Sequence, residues 1–198
     1  GAEGFITRVL QPAAAVFHDI RDARHAGASQ SAAITHALTY LRRLPATDWV
    51  PAAMAWWLDK GKDPLELAWF LSALDRLAHG VRILGLGAGR RTQRFGAIIW
   101  AIRNGQDLKG GTGPLVFSRE ELRNIQYNLR DLHARSAPTA KLVLVRLNDQ
   151  IARAPQVLPI SELTVEHVLP RKHGTSSQWR TWFPDPEVRE QCTESIGN

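Results

Sequence analysis

An acidic residue and a histidine stand side by side near the C-terminal end of the sequence, in the octet LTVEHVLP of residues 163–170. The carboxylate of Glu166 can hold a divalent cation, and the imidazole of His167 can remove a proton from water as a general base. Adjacent residues of a β-strand face opposite sides, so the pair can serve one site only where a strand ends and its backbone turns. The octet is β-prone and stops at Pro170, which predicts such a strand end and indicates metal-assisted hydrolysis.

Basic and aromatic residues follow this octet. Arg171, Lys172 and Arg180 are candidates for contacts with phosphate, although basic side chains are common beside any surface strand. For the aromatic side chains, packing is a better explanation than stacking on bases. In that role they would anchor the loop between two strands. These aromatic residues are Trp179, Trp182 and Phe183.

Upstream of Pro159 the sequence predicts helices almost throughout, because apolar residues recur at three- and four-residue steps and the breakers lie between these stretches. We expect helices over about 4–24 and 29–44, and a third helix that Asp48 caps, with Pro51 in its first turn. The longest helix should follow Asp63 and form the centre of the core. Its apolar stripe consists of Leu67, Leu71, Leu74, Ala78 and Val81, whereas Glu66, Asp75, Arg76, His79 and Arg82 fall largely on other faces.

Two glycine-rich breaks separate the later helices. The run Gly85–Gly89 lacks the preceding strand and the Gly-Lys-Ser/Thr ending of a phosphate loop, so it predicts a connector to a helix that begins near Arg90. The run Gly110–Pro114 precedes a helix with a capping box at Ser118 and Glu121. This helix should bury Leu122, Ile125, Leu129 and Leu132. A continuous apolar run at 141–147 fits a buried strand or a buried helix, and we favour a helix because the pattern continues to Ile151 without a turn.

Two further sets of residues could carry function. The arginines Arg90, Arg91 and Arg94 form a second candidate DNA-facing patch, although the balance is against that role. The remaining histidines have no matching partners in the sequence, which favours surface or structural positions; they include His18, His25, His36 and His133.

Composition limits the classes of protein that this chain can represent. Its 198 residues, with 44% hydrophobic and 22% charged side chains, are typical of a globular protein with a sizeable core. The single cysteine, Cys192, excludes an internal disulfide and a zinc site built on paired CxxC motifs, and it favours a reducing, cytoplasmic setting. No apolar stretch reaches the roughly 20 residues of a membrane span, so we expect no membrane partner. The formal net charge of +6 suits a polyanionic partner, or simply a soluble basic protein.

The octet, the Trp-x-x-Trp-Phe segment and the final Gly-Asn together resemble the HNH-type C-terminal nuclease domain of GmrSD-type modification-dependent restriction proteins. The related phosphorothioate-sensing SspE proteins share that architecture. Upstream, the segments 74–78 and 91–102 also fit, so the resemblance covers most of the chain and is more specific from Leu163 onward.

This resemblance implies a mainly α-helical protein, with a helical domain at 1–159 and an HNH-type ββα-metal nuclease finger at 160–198 that is incomplete at its C-terminal end. His167 matches the general base, and Glu166 occupies the place of a metal-binding acid. Asn198 matches the asparagine of the second strand that holds the loop carrying the histidine. The family pattern continues into a helix with another metal-binding Asn or His, which lies beyond Asn198. We therefore expect this chain alone to be folded, inactive and metal-free.

The implied function is nicking of DNA by a cytoplasmic, modification-sensing anti-phage restriction protein, with Mg²⁺ or Mn²⁺ as the cation. The resemblance also implies an N-terminal, nucleotide-hydrolysing sensor domain as a partner in the full-length protein, and phage or modified DNA as the substrate. Two alternatives stay open. One is a non-catalytic helical module that binds DNA or protein, and the other is a nuclease directed at RNA, which would use the same residues.

Overall fold

The computed structural model describes residues 1–25, 30–152 and 160–198, and it divides them into two compact units, Gly1–Ser118 and Arg119–Asn198. The predicted domain boundary after Pro159 and the predicted helix start at Ser29 lie outside the described residues. Helices dominate both units, and no β-strand is assigned anywhere in the described ranges. No helix in these ranges has both the length and the apolar character that crossing a membrane requires. The prediction of a mainly α protein is confirmed.

The N-terminal unit consists of helices joined by short connections. The first helical stretch runs from α1 (Ala2–Phe5) through a π-helical segment (Ile6–Leu10) into α2 (Gln11–Asp22). Four further helices follow: α3 (Ser31–Arg43), α4 (Val50–Lys60), α5 (Pro64–Ile83) and α6 (Ala88–Arg103). Helix α5 packs against α3 and α4, and α4 also contacts α2 and α6.

Helix α5 is the centre of this unit, as its apolar stripe predicts. Asp63 caps it, since its Oδ1 accepts hydrogen bonds from the backbone N–H groups of Leu65 and Glu66, and Pro64 occupies the first turn. Every residue of the predicted stripe is buried, with Leu67, Leu71 and Leu74 fully enclosed. The stripe alone therefore identified the core-facing side of the longest helix.

The prediction that Asp75 and His79 lie on outer faces of α5 is wrong. Asp75 is 2% exposed and His79 is 8% exposed, and Oδ1 of Asp75 lies 2.9 Å from Nδ1 of His79. Side chains four residues apart on a helix are neighbours, so the pair can satisfy each other inside the core. The charge of a side chain therefore does not by itself predict that it is exposed, because a partner one helical turn away can pair with it inside the core.

The predicted cap at Asp48 is also wrong. Helix α4 begins at Val50, and Asp48 instead pairs with Arg91 of α6, whose Nε lies 2.6 Å from Oδ2. Arg91 also donates to the backbone oxygen of Leu86, 2.8 Å away. The predicted position of Pro51 in the first turn of α4 is confirmed. The ion pair between Asp48 and Arg91 therefore links the segment before α4 to α6.

Arg94 fastens the glycine-rich segment that follows α6. Its Nε donates to the oxygen of Pro114 and its Nη2 to the oxygen of Val116, both at 2.6 Å, and its guanidinium lies 5.9 Å from the ring centre of Phe117. Two of the three arginines proposed as a DNA-facing patch are therefore engaged in internal contacts, while Arg90 is exposed.

Replacing Arg94 with methionine should lower the free energy of unfolding by about 2 kcal/mol, because two carbonyl groups lose charge-assisted donors. Urea unfolding followed by tryptophan fluorescence measures this change. The matched control is Arg90→Met on the same helix, which should change the free energy by less than about 0.5 kcal/mol. Equal effects of the two substitutions would show that the Arg94 contacts contribute nothing.

The C-terminal unit contains α7 (Arg119–Leu129), α8 (Leu132–Arg135), α9 (Ala137–Ala152), a 3₁₀ turn (Ile160–Glu162), α10 (Gln178–Trp182) and α11 (Pro186–Glu194). Helix α8 packs against α7, α9 and α11. Helix α9 confirms the helical interpretation of residues 141–147, and it buries Leu142 and Val145. The predicted buried edge of this helix is only partly correct: Leu122 on α7 is 47% exposed, Ile125 and Leu129 are half-buried, and the buried Leu132 lies on α8.

The strand predicted at Leu163–Pro170 is not present. After the 3₁₀ turn this segment runs without regular structure and bends at Val168 and Leu169. A strand is stabilised by a hydrogen-bonded neighbour, and β-prone residues do not supply one. In place of the predicted loop between two strands of a finger, the chain after this segment forms α10 and α11.

Candidate active site in the C-terminal unit

The segment that carries Glu166 and His167 is held by one buried anchor. Leu169 is 3% exposed, whereas its neighbour Val168 is 73% exposed. Glu166 is exposed and His167 is half-buried. Burial of Leu169 therefore fixes the backbone just after the histidine, and it leaves the carboxylate and part of the imidazole open to a substrate.

Asn198 holds this anchor through its side-chain amide. Its Oδ1 accepts a hydrogen bond from the backbone N–H of Leu169 at 2.5 Å, and its Nδ2 donates to the backbone oxygen of Leu169 at 3.0 Å. Nδ2 also donates to the oxygen of Thr193 at 2.9 Å. An amide side chain offers both a donor and an acceptor, so it pairs with a backbone as a neighbouring strand residue would. The expected contact between Asn198 and the histidine loop is thus present without a strand.

Helix α11 brings Asn198 to this position. Asp185 caps the helix by accepting from the backbone N–H groups of Glu187 and Val188, at 2.8 and 3.3 Å, and Pro186 fits its first turn. At the other end the hydroxyl of Ser195 donates to the oxygen of Cys192, and the backbone N–H of Asn198 donates to the oxygen of Ser195. The chain therefore turns back sharply after α11, which directs the Asn198 side chain at Leu169.

His133 is a neighbour of His167 that sequence analysis missed. The two ring centres lie 4.7 Å apart with planes at 88°, an edge-to-face contact. His133 lies on α8, which buries Leu132, and its Nδ1 is buried with no hydrogen-bond partner among the described residues. No local pattern links the two histidines, because they are far apart in sequence and only the packing of α8 brings them together. An edge-to-face arrangement is one that aromatic rings favour.

The described part of the chain contains no group of three or more His, Cys, Asp or Glu side chains placed to hold one metal ion. Glu166 offers carboxylate oxygens in an exposed position, which suits a hard divalent cation that keeps several of its waters. The described residues alone do not make a complete cation site.

Two of the basic residues proposed to contact phosphate line one groove of about 460 Å³. Arg171 and Lys172 form one side, and Arg189, Glu190 and Glu194 on α11 form another. Arg171 is engaged within the groove, because its Nη2 lies 2.8 Å from Oε1 of Glu194. Lys172 is exposed beside this pair. The groove therefore carries charges of both signs, and Glu194 partly neutralises Arg171.

Arg180 stands next to this groove rather than in its lining. Its Nε contacts Nδ1 of His173 at 3.4 Å, and His173 is a lining residue. The aromatic residues on and after α10 contact one another, with the rings of Trp179 and Trp182 5.1 Å apart and nearly perpendicular. Trp182 is 58% exposed, so its packing covers only part of the ring.

Comparison with known proteins finds no matching family model, and no curated protein or solved structure similar to the chain.

Proposed function

We propose that the C-terminal unit nicks DNA as the HNH-type nuclease part of a modification-sensing, anti-phage restriction protein, with His167 as the general base. The observation that supports this proposal best is the hydrogen-bonded contact of Asn198 with both backbone groups of Leu169. A general base must be held at a fixed position, and this contact fixes the backbone two residues after the histidine.

In the proposed reaction, a ring nitrogen of His167 takes a proton from a water molecule. The water oxygen attacks the phosphorus atom, and the bond to the 3′ oxygen breaks. The leaving oxygen takes up a proton from solvent, so the products are a 3′ hydroxyl and a 5′ phosphate. The imidazole then returns its proton to solvent. Contact with His133 keeps the His167 ring from rotating away from the water that it must activate.

A divalent cation, Mg²⁺ or Mn²⁺, belongs to this proposal as cofactor, with Glu166 as one ligand. When bound, such a cation offsets the negative charge that develops on the phosphate. Full-length protein should therefore convert supercoiled plasmid to the open-circular form with Mg²⁺ or Mn²⁺ and stop when EDTA is added. Cleavage that persists in EDTA would contradict a cation-dependent reaction.

The full-length protein in this proposal also contains an N-terminal, nucleotide-hydrolysing domain that senses the modified DNA. Plasmid carrying the modification, unmodified plasmid and a structured RNA should be compared as substrates. Faster cleavage of the modified plasmid is expected, and preferential cleavage of the RNA would replace DNA as the proposed substrate.

DNA contacts in this proposal are made chiefly through phosphate by Arg171 and Lys172, with Arg180 nearby. Affinity should fall steeply with salt, and the combined Arg171→Ala and Lys172→Ala substitutions should reduce the slope of log affinity against log salt by about two at most. Fluorescence anisotropy with a labelled duplex measures the slope. The control Arg76→Ala on α5 should leave it unchanged.

Glu194 provides a second test of the same contacts. Because Glu194 pairs with Arg171, the change Glu194→Gln should release Arg171 and strengthen DNA binding several-fold at low salt. Weaker or unchanged binding would show that Arg171 does not contact phosphate. An affinity that does not depend on salt would favour the alternative of a protein-interaction module.

A further inference from the structure

The first helical stretch of the N-terminal unit carries an apolar face that no described element covers. Residues 1–12 are exposed apart from Gly4, whereas Val16, Ile20 and Ala23 are buried where α2 packs against α4. The large apolar side chains of this face, each 44–55% exposed, are Phe5, Ile6, Val9, Leu10 and Phe17. A contiguous exposed apolar surface on a protein marks a site of interaction.

An apolar groove of about 570 Å³ lies beside the C-terminal end of the same stretch, between α2, the end of α3 and the start of α4. Its floor includes Ile20, Leu41 and Trp49, which are all buried. Phe17 on α2 and Met54 on α4 also line it. Because Phe17 belongs both to the lining and to the exposed face, the apolar groove and the apolar face form one continuous surface.

The two ends of this surface are complementary in size. The N-terminal end presents large side chains, the middle is small, with alanine at positions 13, 14 and 15, and the C-terminal end opens into the apolar groove. Within one chain the two ends cannot meet, because one helical stretch keeps Ile6 and Phe17 roughly 16 Å apart. A second copy, related by a two-fold axis near Ala13 and Ala14, places the large side chains of each chain over the groove of the other.

Charge favours the same antiparallel arrangement. Glu3 is the only acidic residue among the first 18 of the sequence, and it lies at the end that faces the groove of the second copy. Arg21 and Arg42 line the apolar groove, and no carboxylate is among its described lining residues. Arg21 is paired with Asp22, so we expect Glu3 to meet the exposed Arg42. Antiparallel helices also bring opposite ends of their dipoles together.

We propose that two copies of this chain associate through the apolar face and the apolar groove, with their first helical stretches antiparallel and crossing at Ala13 and Ala14. Small side chains at the crossing allow the two backbones to approach closely. The two-fold axis repeats each contact, so one dimer contains two equivalent contacts of face and groove. A standard interface buries about 800 Å² on each partner. One helical face and one groove form a small interface by comparison, so we expect a dissociation constant of about 10 µM.

Sedimentation velocity of the 198-residue chain, from about 1 µM to about 300 µM, tests this association. The average mass should rise from that of one chain towards that of two. Ile6→Glu places a carboxylate on the apolar face at an exposed position, so it should leave the fold intact and weaken association about tenfold or more. The matched control Leu65→Glu makes the same change at an exposed leucine of α5 and should leave association unchanged.

A disulfide tests the antiparallel arrangement. A residue on a two-fold axis meets its own copy, so Ala14→Cys, with Cys192→Ser to remove the natural thiol, should form linked dimers under mild oxidation. Ala97→Cys, at an exposed alanine of α6, should stay unlinked at the same concentration. Equal linking of the two variants would contradict the arrangement.

A single-chain mass at every concentration, or equal association of Ile6→Glu and wild type, would overturn the proposal and leave the apolar face to a different partner. Both readouts are independent of cleavage, so a nuclease that proves inactive does not affect them.

Discussion

Replacing His167 with alanine in the full-length protein should lower the rate of plasmid nicking by at least ~10²-fold, the low end of the effect of removing a general base. The physical reason is that the water would have to lose its proton to solvent during the attack. His167 is half-buried on a segment without regular structure, so alanine should be accommodated without loss of the fold. Nicking of supercoiled plasmid under single-turnover conditions measures the effect, and circular dichroism checks that the variant is folded.

A matched control for this substitution is His18→Ala, which removes an exposed histidine from α2 and should leave the nicking rate unchanged. Wild-type nicking by His167→Ala would remove the general-base assignment. If the wild-type protein and His167→Ala both bind DNA and neither cleaves it, the alternative of a non-catalytic DNA-binding module would be favoured.

Replacing Asn198 with alanine should have the next largest effect. Three hydrogen bonds would be lost, and the backbone N–H and oxygen of the buried Leu169 would be left without their partner. We expect the opening free energy of the Leu169 amide, measured by hydrogen exchange, to fall by about 1–3 kcal/mol. Nicking should fall about 10- to 100-fold, because the backbone beside the general base would no longer be held in place.

Two further substitutions separate this contact from a general loss of stability. Asn198→Asp keeps an acceptor for the Leu169 N–H but places a carboxylate against the oxygens of Leu169 and Thr193, so it should be at least as damaging as alanine. Asn148→Ala removes an exposed asparagine from α9 and should change neither hydrogen exchange at Leu169 nor nicking. Full protection of the Leu169 amide in Asn198→Ala would show that the contact does not hold the loop.

Sequence alone identified the helices and the core of the N-terminal unit, because helix formation and burial depend on apolar residues that recur within one or two turns. The stripe on α5 is an example, and the helical run at 141–147 shows the same for the C-terminal unit. The octet at 163–170 also supplied the hypothesis about the active site, since residue type and order suffice for such a hypothesis. The roles of Glu166, His167 and the basic residues stay predictions until the nicking and binding experiments are done.

Tertiary structure decided every feature that depends on a partner distant in sequence. Asp48 pairs with Arg91 instead of capping α4, and Arg94 binds carbonyl groups of a later loop, because opposite charges and unpaired carbonyls meet only after the helices pack. The same holds for the contact between His133 and His167.

The octet at 163–170 shows most clearly where prediction from sequence fails. Its β-prone residues predicted a strand, but a strand needs a hydrogen-bonded neighbour, and in the described structure the Asn198 side chain pairs with the backbone of Leu169 instead. Local propensity is a property of the segment, whereas a backbone partner is supplied by the rest of the fold. The sequence could therefore suggest candidate residues for the chemistry, and only the packed chain determined what holds them.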